Sequence, residues 1–243
     1  FRHPMNLTGS DQIVSKLQAL LSYDASSPLI FSSGLFLFLL AAFLLLYSRL
    51  RYAPTARIFY VILFSLYFYY KSSGLYFLLL ILAATSDYWI AAGRRWLVAL
   101  SVAVNLGMLG YFKYTNFFVE AANNLFGEGF LQFQNIFLPV GISFFVFQSL
   151  SYTIDIYRGQ LQPLRNWPDY LFYLSFFPQL VAGPIVRARD FIPQIRRNPL
   201  VVTREMFGTG VALILIGLVK KAIISDYISL NFVDRVFDEP LLY

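Results

Sequence analysis

The run from Leu29 to Tyr47 contains 19 consecutive residues without a charged side chain. An α-helix needs about 20 such residues to cross a bilayer. Because the chain is 58% hydrophobic and only 13% charged, a water-soluble globule of this size could not bury its apolar surface. The sequence therefore predicts an all-α, polytopic integral membrane protein with five to seven membrane helices. The further apolar segments are 58–70, 75–92, 96–112, 136–157, 170–186 and 205–230.

Residues 1–28 are more polar than the rest and contain the only histidine, His3. Ile13, Leu17, Leu20 and Leu21 share one helical face in this stretch. We therefore expect an amphipathic N-terminal extension, residues 1–28, before a membrane domain of residues 29–243. The chain has no cysteine, so disulfides, a thiolate nucleophile and cysteine metal sites are excluded. A single terminal histidine also leaves no metal cluster and no Ser-His-Asp triad.

The net charge of +6 comes from arginines and lysines concentrated in loops, which we assign to an anionic lipid surface and not to nucleic acid. Cytoplasmic loops carry the Lys/Arg excess. We therefore place loops 48–57, 93–95 and 158–169 inside and the N-terminus outside, in a multi-pass protein of the inner (cytoplasmic) membrane. The segment 58–70 is short, and it can span only if Arg57 snorkels to the surface or the helix is locally short.

The segment 170–186 contains Pro178 and the pair Gly183-Pro184, which break helices. If it crossed the membrane, the densest basic stretch of the chain, from Arg187 to Arg204, would lie outside. The charge pattern therefore favours a re-entrant or broken segment that enters and leaves on the cytoplasmic side, with a kinked ordinary span as the alternative. Such backbone must lie within protein or beside a water-filled cavity.

Two further groups of polar residues lie within apolar segments. Gln148, Tyr152 and Asp155 share a helix face, and the simplest role for Asp155 is an ion pair with Arg158 three residues on. Lys220 and Lys221 interrupt the last segment, so that helix is shallow or the lysines face a wet interior, where they could hold an anionic carrier or phosphate.

Four stretches of the chain form a pattern, in the order "LGYFKYTNFF", "LPVGISFFVFQSLSYTIDIYRG", "FFPQLVAGPIVRARDFIPQI" and "GLVKKAIISD". In sequence, order and spacing they resemble the membrane-bound O-acyltransferase family. The similarity is to its bacterial branch, which contains the membrane subunit of alginate O-acetylation, and it covers about Leu29 to Asp226.

The resemblance implies transfer of an acyl group, acetyl by the closest analogy, to hydroxyls of a cell-envelope or exported polysaccharide. The donor would be a cytoplasmic acyl thioester or acyl carrier, with no bound cofactor, and the acceptor could be reached directly or through a partner acyltransferase. The family's catalytic histidine lies beside a tryptophan in a downstream part that this chain lacks. No catalytic residue is therefore assigned, and this N-terminal portion alone is expected to be inactive.

The resemblance also implies a lining for the donor-side mouth of a membrane funnel. The matching residues are Pro178, Gly183, Pro184 and Arg187, together with Gln179, Lys220 and Lys221 as further candidates. Two other classes stay open on the sequence alone: a transporter or flippase core, and a non-catalytic scaffold of an envelope complex.

Overall fold

The computed structural model describes residues 22–24, 29, 31, 33–91, 97–127, 129–180 and 183–238. None of these residues lies in a β-strand, and the chain here consists of twelve α-helices, α1 to α12, with short 3₁₀ and π segments between some of them. The α-helices are Gly34–Arg49, Pro54–Ser73, Phe77–Ala91, Leu97–Leu109, Thr115–Phe126, Ile142–Tyr157, Trp167–Ser175, Phe177–Leu180, Ala188–Ile195, Arg204–Leu218, Asp226–Ile228 and Asp234–Asp238.

Three helical stretches are long and apolar enough to cross a membrane, and α1 is a shorter apolar helix. The three stretches are Pro54–Ala91, Leu97–Phe126 and Arg204–Asp238. The first contains α2 and α3, which are separated at Gly74, where φ is +61°. The predicted all-α membrane fold is confirmed. The expected amphipathic helix of residues 1–28 lies outside the described residues, except for Ser22, Tyr23 and Asp24.

The chain divides into two compact units, residues 1–28 with 53–197 and residues 29–52 with 198–243. In the first unit α7 packs against α2, α3, α6 and α9, while α4 packs against α3 and α6. Every residue of α7 from Asp169 to Ser175 is buried. The core of this unit is therefore built around a helix of only nine residues.

Local sequence explains where the long helices begin. Pro54 occupies the first turn of α2, where its missing N–H is not needed. Gly141 takes a left-handed conformation, with φ of +76°, directly before α6. The predicted segment 136–157 therefore becomes helical only from Ile142, because Pro139 and Gly141 delay the start.

The ends of three elements meet at one end of the first unit. The Tyr88 hydroxyl, in the last turn of α3, donates to the carbonyl oxygen of Arg165 at 2.9 Å. Arg57, in the first turn of α2, donates to the carbonyl oxygens of Ile195 and Arg197 at 3.2 and 2.6 Å. The start of α2, the end of α3 and the end of α9 therefore lie at the same end of this unit. The assignment of the basic loops to the cytoplasmic side stays a prediction.

Arg57 does not snorkel, which was one of the two ways in which the short segment 58–70 was expected to span. Its side chain is 1% exposed, and it binds the carbonyl groups that end α9, where a cation also complements the helix dipole. The helix α2 extends over 20 residues, about 30 Å, so it is long enough without snorkelling.

Candidate functional site

The segment 170–186 is broken, as predicted. Helix α7 ends at Ser175, and Phe176 leaves the helical region with ψ of 106°. Among the residues that the structure describes between Phe176 and α9, the four-residue α8 is followed by a non-helical stretch at 183–187. The break falls just before Pro178, because a proline inside a continuous helix would have no N–H to donate and its ring would clash with the carbonyl of Leu174.

The two ends of this broken segment lie together. The Arg196 Nε atom is 2.6 Å from Asp169 Oδ2, and the Asp169 side chain is 6% exposed. Asp169 lies in the first turn of α7 and Arg196 directly follows α9. The chain from 167 to 195 therefore leaves one end of the unit and returns to the same end.

Two contacts with α2 show how far the broken segment extends along that helix. Arg57 contacts the carbonyls at the end of α9, and Ser65, two turns further, accepts a hydrogen bond from the Phe177 amide at 3.3 Å. Eight residues of helix correspond to about 12 Å. The break at Phe176 and Phe177 thus lies about 12 Å beyond Arg57, near the middle of a helix of about 30 Å.

Side chains from neighbouring helices satisfy the backbone groups freed by the break. Gln148 Nε2 donates to the Tyr173 carbonyl oxygen at 2.8 Å, and the Tyr173 hydroxyl donates to the Val186 carbonyl oxygen at 2.8 Å. Ser65 serves the amide of Phe177. Irregular backbone in an apolar interior requires such partners.

The residues near the break that were predicted to line the mouth of the funnel differ in their exposure to solvent. Pro178, Pro184 and Arg187 are exposed, while Gln179 and Gly183 are half-buried. Gln179 Oε1 lies 3.5 Å from Gln148 Nε2, a weak contact that links the surface residues to the buried face of α6. The structure thus brings this group together around α8 and the stretch that follows it.

Gly183 allows the chain to fold back closely on α8. A Cβ atom built on Gly183 would collide with Gln179 Cα and lie 3.0 Å from the carbonyl oxygens of Gln179 and Pro178. The Gly183 amide donates to the Gln179 carbonyl at 3.0 Å. Backbone crowding, and not a positive φ, therefore requires glycine here.

The predicted polar face of α6 is buried. Gln148, Tyr152 and Asp155 are 2%, 0% and 6% exposed. The Tyr152 hydroxyl accepts from the Leu164 amide at 3.0 Å, so this tyrosine fixes the loop that leads to α7.

The expected ion pair of Asp155 with Arg158 is not formed. Within the described part of the chain, Asp155 Oδ2 has no hydrogen-bond partner and Asp155 forms no ion pair. Asp155 lies on the buried face of α6, whereas Arg158 caps the helix and is exposed. A separation of three residues did not produce the ion pair, because one side chain is buried and the other lies in solvent.

Lys220 and Lys221 belong to the second unit and lie in a π-helical stretch, Val219–Ser225. Both lysines are exposed. Lys221 Nζ forms an ion pair with Asp226, five residues on, because one π-helical turn places residues i and i+5 on the same face. The sequence did not predict this structural role for Lys221.

The sequence reading missed a buried network centred on Asp87, which is 0% exposed. Ser101 Oγ donates to Asp87 Oδ1 at 2.5 Å, and Asn105 Nδ2 donates to both carboxylate oxygens at 3.0 and 2.8 Å. Ser149 Oγ donates to Asp87 Oδ2 and is 2.8 Å from the Tyr170 hydroxyl. The network joins α3, α4, α6 and α7.

A sequence signal for this network existed. Asp87 is an ionisable residue in an apolar segment, which is a functional or structural marker by default. Ser101 and Asn105 lie four residues apart, and so do Ser149 and Thr153, so each pair projects from one helix face. The spacing shows two polar faces but does not show that they meet at Asp87.

The structure therefore defines an all-helical membrane protein whose core contains a broken segment that returns to its starting end. Comparison with known proteins gives the family. A probable alginate O-acetylase AlgI of Azotobacter vinelandii is 40% identical over 214 residues, covering 82% of this chain and 42% of that protein. The Pseudomonas aeruginosa protein of the same name is 38% identical over 216 residues, covering 82% and 40%.

A peptidoglycan O-acetyltransferase of Helicobacter pylori is 31% identical over 250 residues, covering 87% of this chain and 47% of that protein. The chain thus belongs with the membrane-bound O-acyltransferases of the alginate O-acetylase type. It spans about two fifths of the length of the alginate relatives. No family model and no solved structure matches the chain.

Proposed function

We propose that this chain forms the donor-side portion of a membrane O-acyltransferase that transfers an acetyl group to hydroxyls of a cell-envelope or exported polysaccharide. The observation that carries the proposal is the 38–40% identity to alginate O-acetylases over 82% of the chain. In the reaction, a bond forms between the acceptor oxygen and the acyl carbon, the thioester C–S bond breaks, and a base takes the hydroxyl proton.

The broken segment supports a role at the cytoplasmic mouth of the donor path. Its two ends meet at Asp169 and Arg196, at the end of the first unit where the sequence places the inside loops. Pro178, Pro184 and Arg187 are exposed around it. A guanidinium there suits an acyl donor that carries phosphate, because arginine binds phosphate with two parallel hydrogen bonds.

The chain alone is proposed to be inactive. A hydroxyl is a weak nucleophile, and a well-placed base contributes about 10²–10⁴ in rate. The sequence has one histidine, His3, which lies outside the family's matching motifs. Activity is therefore expected only when this chain is joined to the remaining part of a relative.

A chimera tests the proposal. The chain replaces the matching region of the Azotobacter vinelandii protein in cells that lack their own alginate O-acetylase, and O-acetyl groups on the secreted alginate are measured. We expect the chimera to restore acetylation and the chain alone to give none. A chimera that inserts in the membrane at normal level without acetylating alginate contradicts the proposed function, and acetylation by the chain alone contradicts the proposed inactivity.

A matched pair of variants tests the donor-side role within the chimera. Arg187→Gln removes the exposed charge of the mouth, whereas Arg189→Gln removes a charge two residues away that lies 3.6 Å from Asp190. We expect Arg187→Gln to lower acetylation and Arg189→Gln to leave it near the wild-type level. Equal loss in both variants rules out a specific role for Arg187.

A further inference from the structure

A basic cavity lies in the second unit, at the C-terminal end of α1. It has a volume of about 420 Å³ and is lined by Ser48, Arg49, Arg51, Tyr52, Leu200 and Val202. This basic cavity involves none of the residues of the broken segment. Among the residues that the structure describes, its lining has two arginines and no acidic residue, so these residues give it a local excess of positive charge.

Backbone geometry forms the cavity from two distant stretches of sequence. Helix α1 ends at Arg49, and the Leu50 amide closes its last turn by donating to the Tyr47 carbonyl at 3.1 Å. The Leu200 amide donates to the Arg51 carbonyl at 3.3 Å, which holds the stretch after residue 198 beside the end of α1. The basic side chains and the apolar Leu200 thus border one space.

The charge balance of the basic cavity favours an anion. The C-terminus of a helix carries about half a negative charge, which by itself disfavours an anion. Two guanidinium groups bring two full positive charges, so the net local charge stays positive. The Arg51 guanidinium also lies 4.5 Å from the centre of the Tyr52 ring, a cation–π contact that holds its planar group in position.

We propose that the basic cavity binds the phosphate of an anionic phospholipid headgroup. A phosphodiester needs the space of only a few water molecules of about 30 Å³ each, so it fits within the observed volume. Arginine recognises phosphate oxygens by its fork of N–H donors. Positively charged segments next to membrane helices attract anionic lipids by about 1 kcal/mol per residue.

The surroundings favour a lipid over a soluble phosphate. Leu44, Leu45 and Leu46, in the turn of α1 before the basic cavity, are 46%, 72% and 49% exposed. Val202, on the cavity wall, is 58% exposed. A phospholipid can place its phosphate between the arginines and its acyl chains along these apolar side chains, whereas a soluble phosphate gains nothing from them.

Lipid binding to the purified 243-residue chain tests the proposal. Native mass spectrometry measures the binding of phosphatidylglycerol and of phosphatidylcholine to the wild type and to Arg49→Gln/Arg51→Gln. We expect selective binding of phosphatidylglycerol, weakened about fivefold per arginine and about 25-fold in the double variant. Arg158→Gln/Arg189→Gln removes the same charge from exposed positions of the first unit and should keep wild-type binding.

A second pair of variants keeps both arginines. Val202→Glu puts a carboxylate into the basic cavity, and Val201→Glu puts one at the neighbouring exposed position, which does not line it. Weaker phosphatidylglycerol binding in Val202→Glu alone supports the site. Equal binding of both lipids by the wild type, or equal losses in each variant and its control, overturns it. Displacement of the lipid by millimolar inorganic phosphate overturns the lipid assignment in favour of a soluble anion.

Discussion

Replacing Asp87 with alanine removes the common acceptor of a buried network in the core of the first unit. Three side chains, those of Ser101, Asn105 and Ser149, donate to the Asp87 carboxylate. Hydrogen bonds between helices in membrane proteins contribute about 0.6 kcal/mol on average and up to about 1.7. Three such bonds predict that Asp87→Ala lowers the free energy of unfolding by about 2–5 kcal/mol.

Asp87→Asn should destabilise less than Asp87→Ala. The amide keeps the shape of the side chain and one acceptor oxygen, but it places an NH₂ group against a donor. Reversible unfolding in mixed micelles with increasing dodecyl sulfate, followed by far-UV circular dichroism, measures both variants. The control is Asp190→Ala, because Asp190 is exposed and its ion pair is worth at most about 1 kcal/mol. A loss below about 0.5 kcal/mol in Asp87→Ala would refute this reasoning, since orphaned buried donors should each cost about 1–3 kcal/mol.

Three further predictions concern the broken segment and the end where it returns. Gly183→Ala should destabilise the chain by about 1–3 kcal/mol in the same assay, because a Cβ there meets backbone atoms; Gly208→Ala, with nothing within 4 Å, should not. Arg57→Gln should destabilise by about 2–4 kcal/mol through loss of its two buried charge-assisted hydrogen bonds to carbonyls, and the exposed control Arg165→Gln should be neutral. Single cysteines at Arg165 and Arg197 should both react with an impermeant maleimide only from the cytoplasmic side, and opposite accessibility would refute the same-side return.

The positions of the helices could be predicted from sequence because a long apolar segment in a bilayer must satisfy its own backbone hydrogen bonds, which an α-helix does. The charge-free run that starts at Leu29 overlaps most of α1, and the segments that begin at 75 and 96 correspond closely to α3 and α4. The break near Pro178 followed from the sequence because proline disrupts a continuous helix. The contact between Asp169 and Arg196 shows that the segment returns to the same end of the first unit, and its return to the same side of the membrane stays a prediction.

The partners of the buried polar groups could not be predicted in the same way. Arg57 binds carbonyls about 140 residues away, and Asp87 binds serines on two other helices. Sequence spacing reports which residues share a helix face, but it does not report which faces meet. Asp155 shows the converse error, because a favourable spacing to Arg158 did not produce contact once one side chain was buried and the other exposed.

The contacts at the break also limit what the polar residues of α6 can do. Gln148 lies on the predicted polar face of α6, but its amide already donates to the Tyr173 carbonyl. Tyr173 in turn serves the carbonyl of Val186, and a buried group with its donors in use stabilises backbone before it can bind a ligand. Side chains of α6 and α2 thus stabilise the backbone of the broken segment. The proposed contact with an acyl donor therefore falls to the exposed residues, above all Arg187. A change at Gln148 should therefore act on stability first, and a change at Arg187 on acetylation first.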